Sequence, residues 1–502
     1  MKDDKLLKPV TRFYILFLIL FLPLYVNRTG YAKILESKWN MYIFVSVAYI
    51  VISVGCIIYN CIKDKNYIKK LKPNKTNLII LVFLLINILA TIFSPYLKQY
   101  NLLIGVGRGE GLLLTSVYII MYLLINRIEV LDKKLISYFS VGSILISLVC
   151  ILQYFGFNPF NLYRNGIGTH NVSFMGTIGN IDFLSAIYTI YLPISIFAFL
   201  FFDNKWYENM LHLLSFMFGF FIISIINVLS GKVAFLAMTV VLLIFLIKNN
   251  KVFSRFLVLL SVFVLDLIII LVTNVTYHYS VEKLSFDWQF NKYTLLLSIL
   301  FVVLLVFAFI INKKDFEIKN MKRIAKIYFC SIFGLAFVSL LFLYFVNINF
   351  SLLGEIHEIL HGNLDDAFGT FRIFLWKRSI PMIADYPLIG TGPDTFAVRF
   401  MALYSSDVAS IGKLTINDTA ANIYLTNFIN TGILGGIAYI IFICCKLFKG
   451  LKSKNIISYA ILLAAFTYSI QSFFNLSVVF VTPLFYLVLA LLNDCIINKK
   501  EL

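Results

Sequence analysis

Residues 368–396 read FGTFRIFLWKRSIPMIADYPLIGTGPDTF, and this stretch decides how the chain is divided. It sits in the longest region that does not read as membrane. Arg372 and Trp376 stand four apart, so on a helix they share a face. Pro387, Gly390, Gly392 and Pro393 then end any helix and force a turn. On both sides the chain reverts to apolar runs of about twenty residues, the length a bilayer requires.

Hydropathy gives fourteen such runs, near 13–30, 40–62, 77–94, 111–126, 135–155, 183–202, 208–227, 231–247, 254–273, 293–312, 327–347, 422–446, 456–474 and 478–496. The expected fold is therefore all-α, a polytopic transmembrane bundle of 12–14 spans with a large extracytoplasmic loop. Three parts follow: an N-terminal bundle over 1–347, the loop over 348–421, and closing helices over 422–502. The loop is too apolar and too well punctuated for disorder, which predicts short amphipathic helices lying on the outer membrane surface. The first run lacks a small-residue cleavage site and is read as a span rather than a signal peptide.

Composition agrees. The 502 residues are 60% hydrophobic and only 14% charged, where soluble domains carry about 25% charged residues. The net charge of +18 raises nucleic acid as a partner, but its placement removes that reading. Lysine and arginine cluster in alternate loops, among them Lys63 to Lys75, Arg127 to Lys134, Lys248 to Arg255, Lys313 to Lys326 and Lys446 to Lys454. The positive-inside rule puts these loops and both termini in the cytoplasm, facing anionic lipid. Loops 95–110, 156–182, 228–232, 274–292 and 348–421 are then extracytoplasmic. The seven cysteines lie in or beside apolar runs and are read as packing residues.

Ionisable groups close to hydrocarbon are costly, so those at the outer ends of spans are the informative ones. GVGRGEGLL supplies Arg108 and Glu110 at the start of the fourth span. Pairing between the two, or with lipid phosphate, is the plain structural alternative. GTIGNID, residues 176–182, places Asn180 after glycines whose bare backbone admits an anion. Lys232 in LSGKVAFLA is a basic residue in an outer turn, against the charge bias. Arg372 offers the donor geometry that best suits a diphosphate. Topology alone thus collects Arg108, Lys232 and Arg372 on one side. Asp418-Thr-Ala-Ala421-Asn422 precedes Asn430-Thr-Gly432-Ile-Leu-Gly435 in the same region.

These motifs together resemble the O-antigen ligase/polymerase family of membrane glycosyltransferases. Gly369, Arg372, Trp376, Asp385, Pro387, Leu388, Gly390, Gly392, Pro393 and Phe396 match its longest motif. Arg108 to Leu112 and Gly176 to Asn180 resemble its first-half motifs, with Ile181 and Asp182 in place of Pro and Asn. Lys232 stands where the family usually has Arg. Asn422, Leu425, Gly432 and Gly435 match its second signature, but Thr419 and Asn430 replace a frequent Arg and Glu. Ala421 replaces the His expected to activate the acceptor hydroxyl, and alanine cannot take a proton.

The resemblance implies a bacterial, inverting, metal-independent and cofactor-free enzyme of cell-surface polysaccharide biosynthesis. Its donor would be an undecaprenyl-diphosphate-linked glycan and its acceptor a glycan, lipid or protein hydroxyl, both at the outer face of the cytoplasmic membrane. Arg108, Lys232 and Arg372 would hold the diphosphate. Glu110, Asn180, Trp376 and Asn422 would contribute to substrate binding, and Asp418 is the nearest motif residue able to act as base. Two rivals remain. A lipid-linked oligosaccharide flippase fits the span count, but predicts similar halves and midplane basic residues that are not seen. A catalytically inactive family member fits Ala421. His357-Glu358-Ile-Leu-His361 is a literal H-E-x-x-H, yet zinc needs a third protein ligand, and the other outer histidines are His170 and His278.

Overall fold

The computed structural model describes residues 5–163, 176–273, 275–278, 283–286, 291–317, 320–346, 351–410 and 418–492; His170, Lys319 and Cys495 fall outside them. The bundle is built from α1 (Leu7–Leu24), α2 (Gly30–Lys63), α3 (Lys75–Ile92), α4 (Leu112–Ile125), α5 (Lys133–Tyr154), α6 (Ile181–Phe201), α7 (Trp206–Ile226), α8 (Leu229–Leu246) and α9 (Asn250–Thr273). A two-stranded antiparallel hairpin, β1 (Val275–His278) and β2 (Lys283–Phe286), pairs Val275 with Phe286. It leads into α10 (Lys292–Asn312) and α11 (Met321–Phe345). Four short helices follow: α12 (Ser351–Leu360), α13 (Phe368–Ser379), α14 (Met382–Asp385) and α15 (Phe396–Ser410). The chain closes with α16 (Ile423–Leu451), α17 (Ile456–Gln471) and α18 (Thr482–Leu491).

Among the described residues, twelve helices are long and apolar enough to cross a membrane, and Leu112–Ile125 and Thr482–Leu491 are shorter apolar helices. The protein is a multi-pass membrane protein with an all-α bundle. Each of the fourteen hydropathy runs corresponds to one of these helices.

Helix α6 is the centre: 89% of its most apolar window is buried, against 6% for α11 at the periphery. Its sequence explains this, because IDFLSAIYTIYLPISIFAFLF is apolar on every face. The hydroxyls it carries are paired inward, as buried polar groups must be. Thr189 donates to Gln471 Oε1 at 2.8 Å, and Ser195 lies 2.8 Å from Ser140 and 2.9 Å from Ser215. Helices α10 and α11 expose long apolar faces that suit lipid.

Two lysines are buried within this bundle. Lys38 donates from Nζ to the Leu22 and Pro23 carbonyls at 2.9 and 2.7 Å, closing the C-terminal turn of α1, whose last carbonyls have no helical partner. Lys446 donates to Asn126 Oδ1 at 2.9 Å and is only 2% exposed. The sequence reading counted Lys446 among the loop charges. It belongs instead to the core, where it joins α16 to the end of α4.

The segment after α11 carries its own small core of Phe374, Met382, Phe396, Phe400, Val408, Ala420 and Ile429. Buried Arg399 staples it, donating to the Met382 carbonyl at 2.7 Å and to Asp385 at 3.2 Å. The glycines of the 387–392 loop have a specific task. Helix α16 breaks at Gly432 (φ 65°, ψ −174°), which frees backbone groups. The loop takes them up: Gly392 donates to the Asn430 carbonyl at 2.8 Å, and Ile433 to the Pro387 carbonyl at 2.7 Å. Backbone lies on backbone here, so a Cβ at Gly390 or Gly432 would fall well inside van der Waals contact with the opposite strand.

Candidate functional site

If successive spans alternate in direction, segments 93–111, 176–180, 227–228, 351–410, 418–422 and 475–481 belong to the same end of the bundle. All nine candidate residues lie in these segments or on the first turns of helices leaving them.

The glycine-rich loop before α4 is organised by a residue that the sequence reading passed over. Asp394, in the turn after Pro393, reaches across from the second half of the chain. One carboxylate oxygen accepts the backbone N–H groups of Gly107, Arg108 and Glu110 at 2.9, 3.0 and 3.2 Å. Gly105, at φ 106°, passes so close that any Cβ would strike this carboxylate. Burial and the nearby Asp418 raise the pKa of Asp394, and the three N–H groups oppose that rise.

The loop so held aims its two charged side chains into the bundle. Arg108 meets Asp418 with Nε 2.7 Å from Oδ2, and its guanidinium lies 5.4 Å from the Phe183 ring centroid. Glu110 accepts a hydrogen bond from Ser477 Oγ at 2.8 Å. Both line a cavity of about 80 Å³, together with Asp394, Asp418, Asn430 and Tyr118. Burial pushes the Glu110 carboxyl up to about 8. Three atoms on the cavity wall are buried without a hydrogen-bond partner among the described residues: Arg108 Nε, which approaches Asp418 only as an ion pair, the Tyr118 hydroxyl and Asn430 Oδ1.

Arg372 follows a sharp backbone turn, with Gly369, Thr370 and Phe371 all at positive φ. Its guanidinium donates to the Phe474 carbonyl at 2.9 and 3.2 Å and to the Gly369 carbonyl at 3.0 Å. Burial lowers its pKa, opposed by the charge of Asp182 on the first turn of α6. Arg108 over Phe183 and Arg372, which feels the charge of Asp182, therefore flank the same helix start. Trp376, one turn along, donates from Nε1 to the Ala420 carbonyl at 3.0 Å and packs on Phe473 and Phe474.

Three candidates take up local structural tasks. Asn180 caps α6, accepting the Asp182 and Phe183 N–H groups at 2.8 and 3.3 Å. Asn422 caps α16 through the Leu425 N–H at 3.0 Å. Such caps are the usual work of Asn before a helix. Lys232, on the first turn of α8, bonds to Asn227 Oδ1. Ala421 sits at φ 48° and is not part of the cavity wall, whereas Thr419 is.

Segment 472–482 was missed altogether, although it ties the parts together. Phe474 binds Arg372, Asn475 donates to the Asp182 carbonyl at 3.2 Å, and Ser477 binds Glu110. The sequence signal was slight: Asn475 and Ser477 in a mostly apolar stretch between two spans. The H-E-x-x-H pair lies on α12, away from the cavity wall. His357 Nδ1 is 2.6 Å from the Leu343 carbonyl, and His361 stacks on Tyr344 at 4.5 Å.

No curated protein matches the chain. The O-antigen ligase family model matches residues 291–440, from the start of α10 into α16. The match takes in Arg372, Trp376, Asp394 and Asp418, while Arg108, Glu110, Asn180 and Lys232 reach the same end of the bundle from outside it. Over residues 291–440, then, the chain is similar to the O-antigen ligase family.

Proposed function

We propose that the protein transfers or polymerises glycan from an undecaprenyl-diphosphate-linked donor to an acceptor hydroxyl, at the outer face of the cytoplasmic membrane. The observation that carries this reading is the convergence of Arg108, Arg372 and the start of α6 beside a polar cavity. A diphosphate needs cations to offset its charge, and a half-enclosed polar cavity gives a hydroxyl somewhere to react out of bulk water. The parts divide accordingly. The bundle over 1–347 brings Arg108 and the α6 start, segment 348–421 brings Arg372 and Asp394, and the closing helices over 422–502 bring the cavity wall. The basic loops at the opposite end favour a cytoplasmic placement for that end and for both termini.

In this scheme Arg108 and Arg372 hold the diphosphate and stabilise it as it leaves, and Lys232 adds positive charge at the same end. Trp376 fixes the 418–421 turn. The acceptor is a glycan, a lipid or a protein side chain. The test is release of undecaprenyl diphosphate in proteoliposomes that contain the full chain, an undecaprenyl-diphosphate-linked oligosaccharide and hydroxyl-bearing acceptors. The intact chain is expected to turn over, with Arg372→Ala at least 100-fold slower. Silence of the intact chain with each acceptor class would turn the assignment towards binding or transport.

A further inference from the structure

Of the three carboxylates on the cavity wall, two are already committed. Asp394 is bound by three backbone N–H groups, and Asp418 is held by Arg108. Glu110 receives one neutral hydroxyl bond, from Ser477, whose oxygen also lies 2.7 Å from Thr482 Oγ1. The position that resembles a family His carries Ala421, which takes no proton. From this geometry, and resting on the transferase reading above, we propose that Glu110 is the catalytic base that accepts the proton of the acceptor hydroxyl.

The placement suits the task. Arg372 bonds to Phe474 and Glu110 to Ser477, three residues apart, so their anchor points are at most about 11 Å from each other along the chain. That separation leaves the diphosphate beside the arginines and an acceptor hydroxyl at the cavity. The unpartnered Tyr118 hydroxyl and Asn430 Oδ1 offer that hydroxyl a donor and an acceptor. In the step, the acceptor O–H loses its proton to the Glu110 carboxylate as its oxygen bonds to the anomeric carbon. The bond from that carbon to the diphosphate oxygen breaks, and its electron pair leaves with the lipid diphosphate. Glu110 then returns the proton to water.

The groups facing Glu110 set when it can act. Arg108 favours the ionised form, and Asp394 and Asp418 oppose it. Tyr118, Tyr439, Tyr468 and Tyr486 also interact with it, each from a different helix. Burial outweighs these and holds the carboxyl at about 8, so the base is protonated below that pH and competent above it.

The proteoliposome assay provides the test. The intact chain should give a rate that rises with pH and is half-maximal near 8. Glu110→Gln should lose 100-fold or more, in the range expected for a general base, and should lose the pH limb while its KM for the donor stays within threefold. Glu110→Asp should restore part of the rate with the limb displaced. Infrared titration supplies a readout that needs no turnover. The difference between the spectra of the intact chain and Glu110→Gln should contain a protonated carboxyl band that disappears near pH 8. An intact chain that turns over while Glu110→Gln stays within threefold and keeps the same pH profile would remove Glu110 from the role and leave the transferase reading standing. A carboxyl band that is gone by pH 5 would also overturn the proposal.

Discussion

Two regions of this bundle hold charged side chains away from water, and they treat them in opposite ways. Inside the bundle, Lys38 spends its ammonium on two carbonyls and Lys446 on an amide oxygen. At the cavity, Glu110 has one neutral hydroxyl, and neighbouring Tyr118 and Asn430 each keep a polar atom with no partner. An ionisable residue at membrane depth defaults to a functional hypothesis, and the two lysines show where that default fails. At the cavity, bonding capacity left over coincides with a polar space that a ligand can enter, which charge alone does not mark. Lys38 and Lys446 face no such space and join helices instead.

The strongest way to break this contrast is at Asp394, which is both buried and fully used yet stands in the cavity wall. Asp394→Ala would leave the Gly107, Arg108 and Glu110 N–H groups without their acceptor. Each buried unsatisfied donor costs about 1–3 kcal/mol, so a loss of about 3 kcal/mol or more is expected in detergent unfolding, with turnover at least 100-fold down. Asp394→Asn keeps an acceptor oxygen and should recover most of the stability. If Asp394→Ala unfolds like the intact chain, the glycine-rich loop is held by something else.

Lys38→Met sharpens the comparison from the other side. It removes two charge-assisted bonds at the end of α1, each worth about 1.5–3 kcal/mol at most, although Thr177 still donates to the Pro23 carbonyl at 2.8 Å. A net loss of about 2 kcal/mol is expected, with turnover per folded molecule unchanged. A fall in turnover at constant stability would move Lys38 from the interior class to the functional one.

Much of this was legible in the chain, for identifiable reasons. Spans announce themselves because hydrocarbon tolerates no unpaired backbone, so fourteen apolar runs became fourteen helices. Alternating charge placed Arg108 and Arg372 at one end, since sidedness needs only span parity. Pro387, Gly390 and Gly392 announced a turn, but nothing local showed that its backbone docks into a break at Gly432, some forty residues on. Asp394 was invisible for the same reason: its partners are N–H groups nearly 290 residues away, and N–H groups leave no mark in a sequence. Asn180 and Asn422 were singled out correctly as special, yet their oxygens cap helices. The signals for a cap and for a ligand contact are the same residue at the same place. Lys446 misled because it continues a basic run whose other members mark the end of a span.

The smallest expected effect tests the boundary itself. Asp266 lies on α9, fully buried, and both its carboxylate oxygens lack a hydrogen-bond partner among the described residues. By unused bonding capacity alone it would be classed with Glu110. By position it would be classed with Lys38, since it is on no wall of the polar cavity. An unpaired buried polar group is a burden on the fold, and mutational data put it at about 1–3 kcal/mol. Asp266→Leu keeps the branched skeleton, with bulkier methyl groups in place of the oxygens, and has no such burden, so it should raise stability by about 1 kcal/mol once the extra bulk is allowed for. Turnover should not change, because the side chain shares neither the arginines nor the cavity. Should Asp266→Leu instead abolish turnover while stabilising the fold, unused capacity would be the better guide to function than position. Asp266 would then mark a second polar route through α9.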